Sequence, residues 1–281
     1  MLDTTRLNDV ALTIQQAFNT KEESYVKKAI SQLQGIITST QSVELQPMKL
    51  DQFMAEGSLK VDWLWESIIP RGAMFAIIGE LKQGKSEFSY QMASAVAKGE
   101  SFLELPTQKS GVLILAVEEH PNDVRRRLNR IGASGDLYLL CSVKNSPATI
   151  SHIENFILKH NISLILVDTL SRFWQADEEN NNTAANAELQ LLLDLCRRSN
   201  VSIGLIHHAR KGLGELRHRS RGASAILDIL DQILFFDKGY SGVETDREIQ
   251  ILGRYQESPR NLLLKFKDGL YEVKSNKWFN R

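Results

Sequence analysis

Apolar residues in the first 38 positions recur at helical spacing. Leu7, Val10, Ala11, Ile14 and Phe18 share one face, and Val26, Ile30, Leu33 and Ile37 share another, as amphipathic helices require. A helical hairpin over residues 1–45 is expected, with Asn19-Thr20 capping its second helix and Glu22 and Glu23 in the first turn, where the helix dipole favours acid. Periodicity fades from Thr38 to Ser58, so residues 46–70 read as a linker wrapping onto the next domain. From Met74 short β-rich runs alternate with helical segments. The runs are Met74–Ile78, Val112–Val117, Leu137–Cys141, Leu164–Val167, Ile203–Ile206 and Ile233–Phe236. Between them Lys85–Ala97, Asp123–Ile131, Ile150–His160 and Ala185–Ser199 read as helices. Such alternation predicts an α/β core over residues 71–281 with a mostly parallel, buried sheet. Glu248–Leu252, Leu262–Phe266 and Leu270–Val273 are separated only by turn residues and read as antiparallel hairpins on the sheet edge.

Composition narrows the class. The 281 residues are 42% hydrophobic and 24% charged, which suits a globular chain with a real core. Thirty-four basic residues balance thirty-four acidic ones, so binding of a polyanion needs a local patch. Apolar runs such as VLILAV are of strand length, far short of a membrane span; with no leader pattern at MLDTTRLNDV, a cytoplasmic protein is expected. The two cysteines, Cys141 and Cys196, lack metal or disulfide spacing and read as buried thiols.

The most specific chemical signal is Gly79-Glu80-Leu81-Lys82-Gln83-Gly84-Lys85-Ser86, a GxxxxGKS run between an apolar strand and an amphipathic helix that continues with Glu87. Its glycines let the backbone curl so that amide N–H groups face inward, and the helix start adds partial positive charge toward a phosphate. Lys85 is placed to neutralise β- and γ-phosphates, and Ser86 to offer its hydroxyl to Mg²⁺. A second metal-side acid is expected at a neighbouring strand end, where Leu164-Ile165-Leu166-Val167 runs into Asp168. Thr169 follows, where many ATPases carry a water-orienting glutamate, so the base must come from elsewhere. Glu118 and Glu119, at the end of another strand, are the candidates, with Glu118 favoured.

Two further segments carry candidate chemistry. His207-His208 close the strand Ile203–Ile206, a place from which an imidazole can sense a γ-phosphate or simply bond a carbonyl. Then come Arg210, Lys211, Arg217, Arg219 and Arg221, with Gly212 and Gly214 and a single acid, Glu215. Such a cationic loop suits a nucleic-acid backbone, although it also reads as a solvated loop. Phe173 and Trp174, beside the acidic run Asp177-Glu178-Glu179, either stack on bases or anchor their own loop. Trp63 and Trp65 are expected to close the sheet edge.

Taken together, the phosphate-loop run, Glu118-Glu119-His120-Pro121 with Arg127-Leu128, Val167-Asp168-Thr169-Leu170-Ser171-Arg172-Phe173, and His207-His208-Ala209-Arg210-Lys211-Gly212 with Ser220-Arg221-Gly222 resemble the RecA-like ATPases. Among these the plasmid RepA-type hexameric helicases look most similar, with DnaB and KaiC relatives. The resemblance spans roughly residues 60 to 275. It implies ATP hydrolysis between subunits of a ring or filament, with ATP and Mg²⁺ as cofactors, and a homo-oligomer, possibly hexameric, acting on single-stranded DNA in replication. By this resemblance Lys85 and Ser86 hold phosphate and Mg²⁺, Asp168 is the metal-side acid, Glu118 the base, His208 the γ-phosphate sensor and residues 210–221 a DNA-contacting pore loop. The arginine expected shortly after Ser220-Arg221-Gly222 is missing. Arg254 stands where relatives carry a Lys-x-Arg pair and is the remaining candidate for a finger reaching a neighbour's nucleotide. The alternative function is an ATP-controlled binding module that hydrolyses slowly and has no helicase activity.

Overall fold

The computed structural model describes residue 14 and residues 47–174, 182–208, 229–239 and 243–274. The expected hairpin over residues 1–45 and the basic segment carrying Arg210, Lys211, Arg217, Arg219 and Arg221 lie outside the described residues. The chain divides into two compact units, Met1–Leu59 and Lys60–Arg281. In the first, the stretch read as linker contains a short helix, α1 (Leu50–Ala55), with none of its residues buried. Six residues are fewer than two turns, too few for a periodic pattern to stand out.

The second unit opens with a two-stranded antiparallel ribbon, β1 (Trp63–Trp65) and β2 (Ile69–Pro70). This corrects the assignment of both tryptophans to the edge of the main sheet. The Trp65 indole is fully buried, 5.0 Å from the Phe102 ring and 6.1 Å from Phe88, and donates to the Phe102 carbonyl at 3.1 Å. Trp63 stands edge-on to Tyr255.

The remaining elements are β3 (Met74–Gly79), α2 (Lys85–Lys98), β4 (Gly111–Ala116), α3 (Pro121–Arg130), β5 (Leu137–Cys141), α4 (Pro147–His160), β6 (Ile162–Asp168), α5 (Leu170–Phe173), α6 (Asn182–Ser199), β7 (Ser202–His208), β8 (Gln232–Lys238), β9 (Asp246–Gly253), β10 (Asn261–Lys267) and β11 (Leu270–Val273). Nine strands form one sheet in the order β11-β10-β9-β8-β3-β7-β6-β4-β5. The six from β8 to β5 run parallel, and β9 to β11 add antiparallel neighbours at one edge. This is the RecA-like P-loop ATPase architecture expected from the sequence.

Alternation along continuous apolar strands feeds two cores. Phe75 and Ile77 of β3 face α2 with Phe88 and Met92, whereas Met74, Ala76 and Ile78 face α4 and α6 with Ile153, Leu189 and Leu192. A parallel strand covered on both faces needs this uniform apolarity. The strand registers place Gly79 beside His208, and Asp168 beside Ala116 and Ile206. The carboxyl ends of β3, β7, β6 and β4 therefore share one edge of the sheet.

Candidate functional site

The turn from β3 into α2 is shaped by two glycines. An added Cβ at Gly79 would meet the Phe236 carbonyl oxygen of β8 at 2.2 Å, so only glycine allows the strands to pass this closely. Gly84 caps α2 at φ 97°, a left-handed conformation that suits glycine. A cavity of about 540 Å³ lies over this turn, lined from residues 81–87, both Glu118 and Glu119, Arg127 and Arg130 of α3, Asp168, His208 and the C-terminal strands.

Lys85 is buried and folds back onto its own loop, with Nζ donating to the Gly79 carbonyl at 2.9 Å and the Glu80 carbonyl at 2.7 Å. Burial pulls its pKa down to about 8, against the opposing pull of Asp168, Glu118 and Glu80. The Ser86 hydroxyl donates to Asp168 Oδ1 at 3.1 Å. Asp168 is 2% exposed, and burial lifts its carboxyl to about 6. Its Oδ2 is buried without a hydrogen-bond partner. A serine hydroxyl beside a carboxylate with an unsatisfied buried oxygen is the hard-oxygen donor set that fits Mg²⁺.

The two adjacent glutamates have different surroundings. Glu119 is held by both terminal nitrogens of Arg127, with Nη2 to Oε1 at 2.7 Å. Arg127 in turn bonds Glu87 through Nε at 3.1 Å and lies over the Tyr90 ring, 5.2 Å from its centroid. Glu87, expected to contact nucleotide, lines the cavity, and its Oε2 accepts from Arg127 and Arg130. Glu118 instead accepts from the Thr169 hydroxyl at 2.6 Å, and its backbone N–H reaches the Asp168 carbonyl at 3.3 Å. His208 Nε2 stands 3.5 Å from Glu118 Oε2. Burial and the charge of Lys85 hold the His208 pKa below its ordinary value. His207 is more buried than His208 and does not line the cavity.

Other expected contributors lie elsewhere. Arg254 follows Gly253, which pairs with Gln232 at the amino-terminal start of β8, so it sits at the opposite edge of the sheet from the phosphate loop. There its guanidinium is 3.2 Å from buried Asp231, which also accepts two bonds from Arg197 and one from the Met74 amide. Phe173 and Trp174 are buried in the core that covers β6, so they anchor their loop and offer no stacking platform.

The sequence reading missed Arg247 and Tyr271, which close the cavity from β9 and β11. Arg247 Nε donates to the Gln83 carbonyl at 2.9 Å, and the Tyr271 hydroxyl donates to the Gly84 carbonyl at 3.2 Å. Neither sits in a motif, and only strand pairing brings them to the loop.

A strand, phosphate loop and helix, with a buried acid two strands away, define a P-loop ATPase of RecA-like architecture. A family model described as AAA domain matches residues 39–214. That is more than half of the chain, which therefore belongs to the AAA domain family of P-loop ATPases. No curated protein matches the sequence.

Proposed function

We propose that the chain is an Mg²⁺-dependent ATPase that works as an oligomeric motor on single-stranded DNA, a helicase or translocase of the RepA type. The observation that carries the hydrolytic part is the setting of Glu118. Its carboxylate is oriented by Thr169 at 2.6 Å, flanked by His208 at 3.5 Å, and lines the same cavity as Lys85. A carboxylate so held can take a proton from a water attacking the terminal phosphate. Lys85 exchanges its two carbonyl partners for phosphate oxygens and stabilises charge developing on them. His208, kept neutral, offers an imidazole N–H or lone pair beside that water and phosphate. Ser86 and Asp168 would hold Mg²⁺, which when bound supplies Lewis-acid neutralisation of the phosphate oxygens. Arg127 keeps Glu119 out of the reaction by occupying both of its oxygens.

The DNA part is supported by the sequence. The basic segment 210–221 begins two residues beyond His208 in the chain. The test is ATP hydrolysis by the purified protein with and without single-stranded DNA, at low and moderate salt, with Lys85→Ala as the blank. Salt-sensitive stimulation by DNA is expected. A slow rate indifferent to DNA would favour the other reading, an ATP-controlled binding module. That reading draws support from Arg254, whose guanidinium is paired with buried Asp231.

A further inference from the structure

The C-terminal strands do more than extend the sheet. From β9, Arg247 donates Nε to the Gln83 carbonyl at 2.9 Å, while its Nη1 ties the carbonyls of Glu244 and Asp246. From β11, the Tyr271 hydroxyl donates to the Gly84 carbonyl at 3.2 Å. The β11 backbone is fixed to α2 by a reciprocal pair: the Tyr271 amide donates to Gln91 Oε1 and Gln91 Nε2 donates to the Gly269 carbonyl, both at 2.9 Å. Gly84 faces the hydroxyl so closely that an added Cβ would lie 2.1 Å from it. The Gln83 carbonyl is thus gripped from outside the loop, and the Gly84 carbonyl takes the Tyr271 bond beside its helical bond from the Phe88 N–H at 2.9 Å.

A planar trans peptide points its C=O and the following N–H in opposite directions. Drawing the Gln83 carbonyl toward Arg247 turns the Gly84 amide away from it, and the Gly84 carbonyl, held by Phe88 of α2 and Tyr271 together, does the same for the Lys85 amide. These are the N–H groups with which such a loop cradles α- and β-phosphates. We propose that Arg247 and Tyr271 are positioning residues that preset the phosphate loop for the diphosphate portion common to ATP and ADP. The inference rests on the phosphate-loop reading and adds to it a requirement for the C-terminal strands.

Tyr271→Phe removes the hydroxyl and keeps the ring that packs on Phe88, Phe236 and Phe266. Arg247→Lys keeps the charge but cannot reproduce the three carbonyl bonds. Equilibrium binding of ADP and of a non-hydrolysable ATP analogue is measured for both variants and for Lys85→Ala, together with kcat and KM for ATP. Each positioning variant is expected to weaken ADP and the ATP analogue by the same factor, about fivefold or more for one lost bond. KM should rise with it and kcat should move less. Normal ADP binding by both variants, beside a Lys85→Ala that has lost it, would overturn this inference alone. A loss confined to the ATP analogue would also overturn it, since Arg247 would then act on the γ-phosphate directly. Retained ADP binding by Lys85→Ala would remove the phosphate-loop reading itself.

Discussion

Glu118 and Glu119 are neighbours in the sequence and opposites in their surroundings. Both were legible as candidates because they end a strand, but what sets them apart is Arg127, eight residues beyond Glu119, which pairs with it, and Thr169, which donates to Glu118. Neither partner is legible from spacing along a strand, because each comes from a different element. Arg127 also carries structural weight, since its Nε donates to Glu87, whose side chain is 8% exposed and whose other charged partner is Arg130. Losing a hydrogen bond to a charged group costs about 1.5–3 kcal/mol. Arg127→Met should lower unfolding free energy by roughly that amount in urea denaturation, and Glu119→Gln alone by clearly less. Equal losses from the two substitutions would contradict the role given to Glu87. Phe173 and Trp174 show the limit from the other side: sequence flags two aromatics beside an acid, but their burial is a property of the packed helices.

At the scale of elements, the strands were legible where an apolar run is covered on both faces. β5 and β11 have the expected bounds, and β3, β6 and β7 extend one or two residues into the site, where Gly79, Asp168 and His208 interrupt the apolar pattern. The β1–β2 ribbon has strands of three and two residues, too short for alternation to register. The close passage of β3 and β8 gives one prediction. Gly79→Ala should destabilise the fold by about 1–3 kcal/mol, the usual cost of overpacking, seen as a lower thermal midpoint; an unchanged midpoint would mean the strands spread freely. Cys196, at the packed end of α6, gives another. Burial lifts its thiol from 9.0 to about 12, and the thiol donates to the Gly72 carbonyl at 3.2 Å. A folded-state pKa above the unfolded one contributes stability that is complete below pH 9 and is lost as pH rises toward 12. Native Cys196 should therefore resist alkylation at pH 8 while half-buried Cys141 reacts, as peptide mapping of labelled protein will show. Rapid native labelling of Cys196 would contradict its burial.

For the molecule as a whole, sequence motifs carried the class because a phosphate loop is local: eight consecutive residues contain most of its geometry. The closing of that loop by the C-terminal strands was not legible, since Arg247 and Tyr271 lie more than 160 residues from the carbonyls they hold. No helix among the described residues is long and apolar enough to cross a membrane. With a balanced net charge, the proposed DNA contact needs a local patch, and the five cations of segment 210–221 are the candidate. If those five cations contact phosphates, the logarithm of the single-strand affinity should fall with log salt, and Arg219→Ala should flatten the slope by about 0.7. An unaltered slope for Arg219→Ala and Arg217→Ala alike would remove the loop from the interface.

The most direct measurement of the central claim is single-turnover hydrolysis of bound ATP by Glu118→Gln and by Glu119→Gln, with nucleotide binding checked separately for each. Glu118→Gln should bind ATP as the parent does and hydrolyse it slower by about 10²–10⁴-fold, while Glu119→Gln keeps most of the rate. Normal turnover by Glu118→Gln, or a collapse confined to Glu119→Gln, would contradict the assignment of Glu118 as the base.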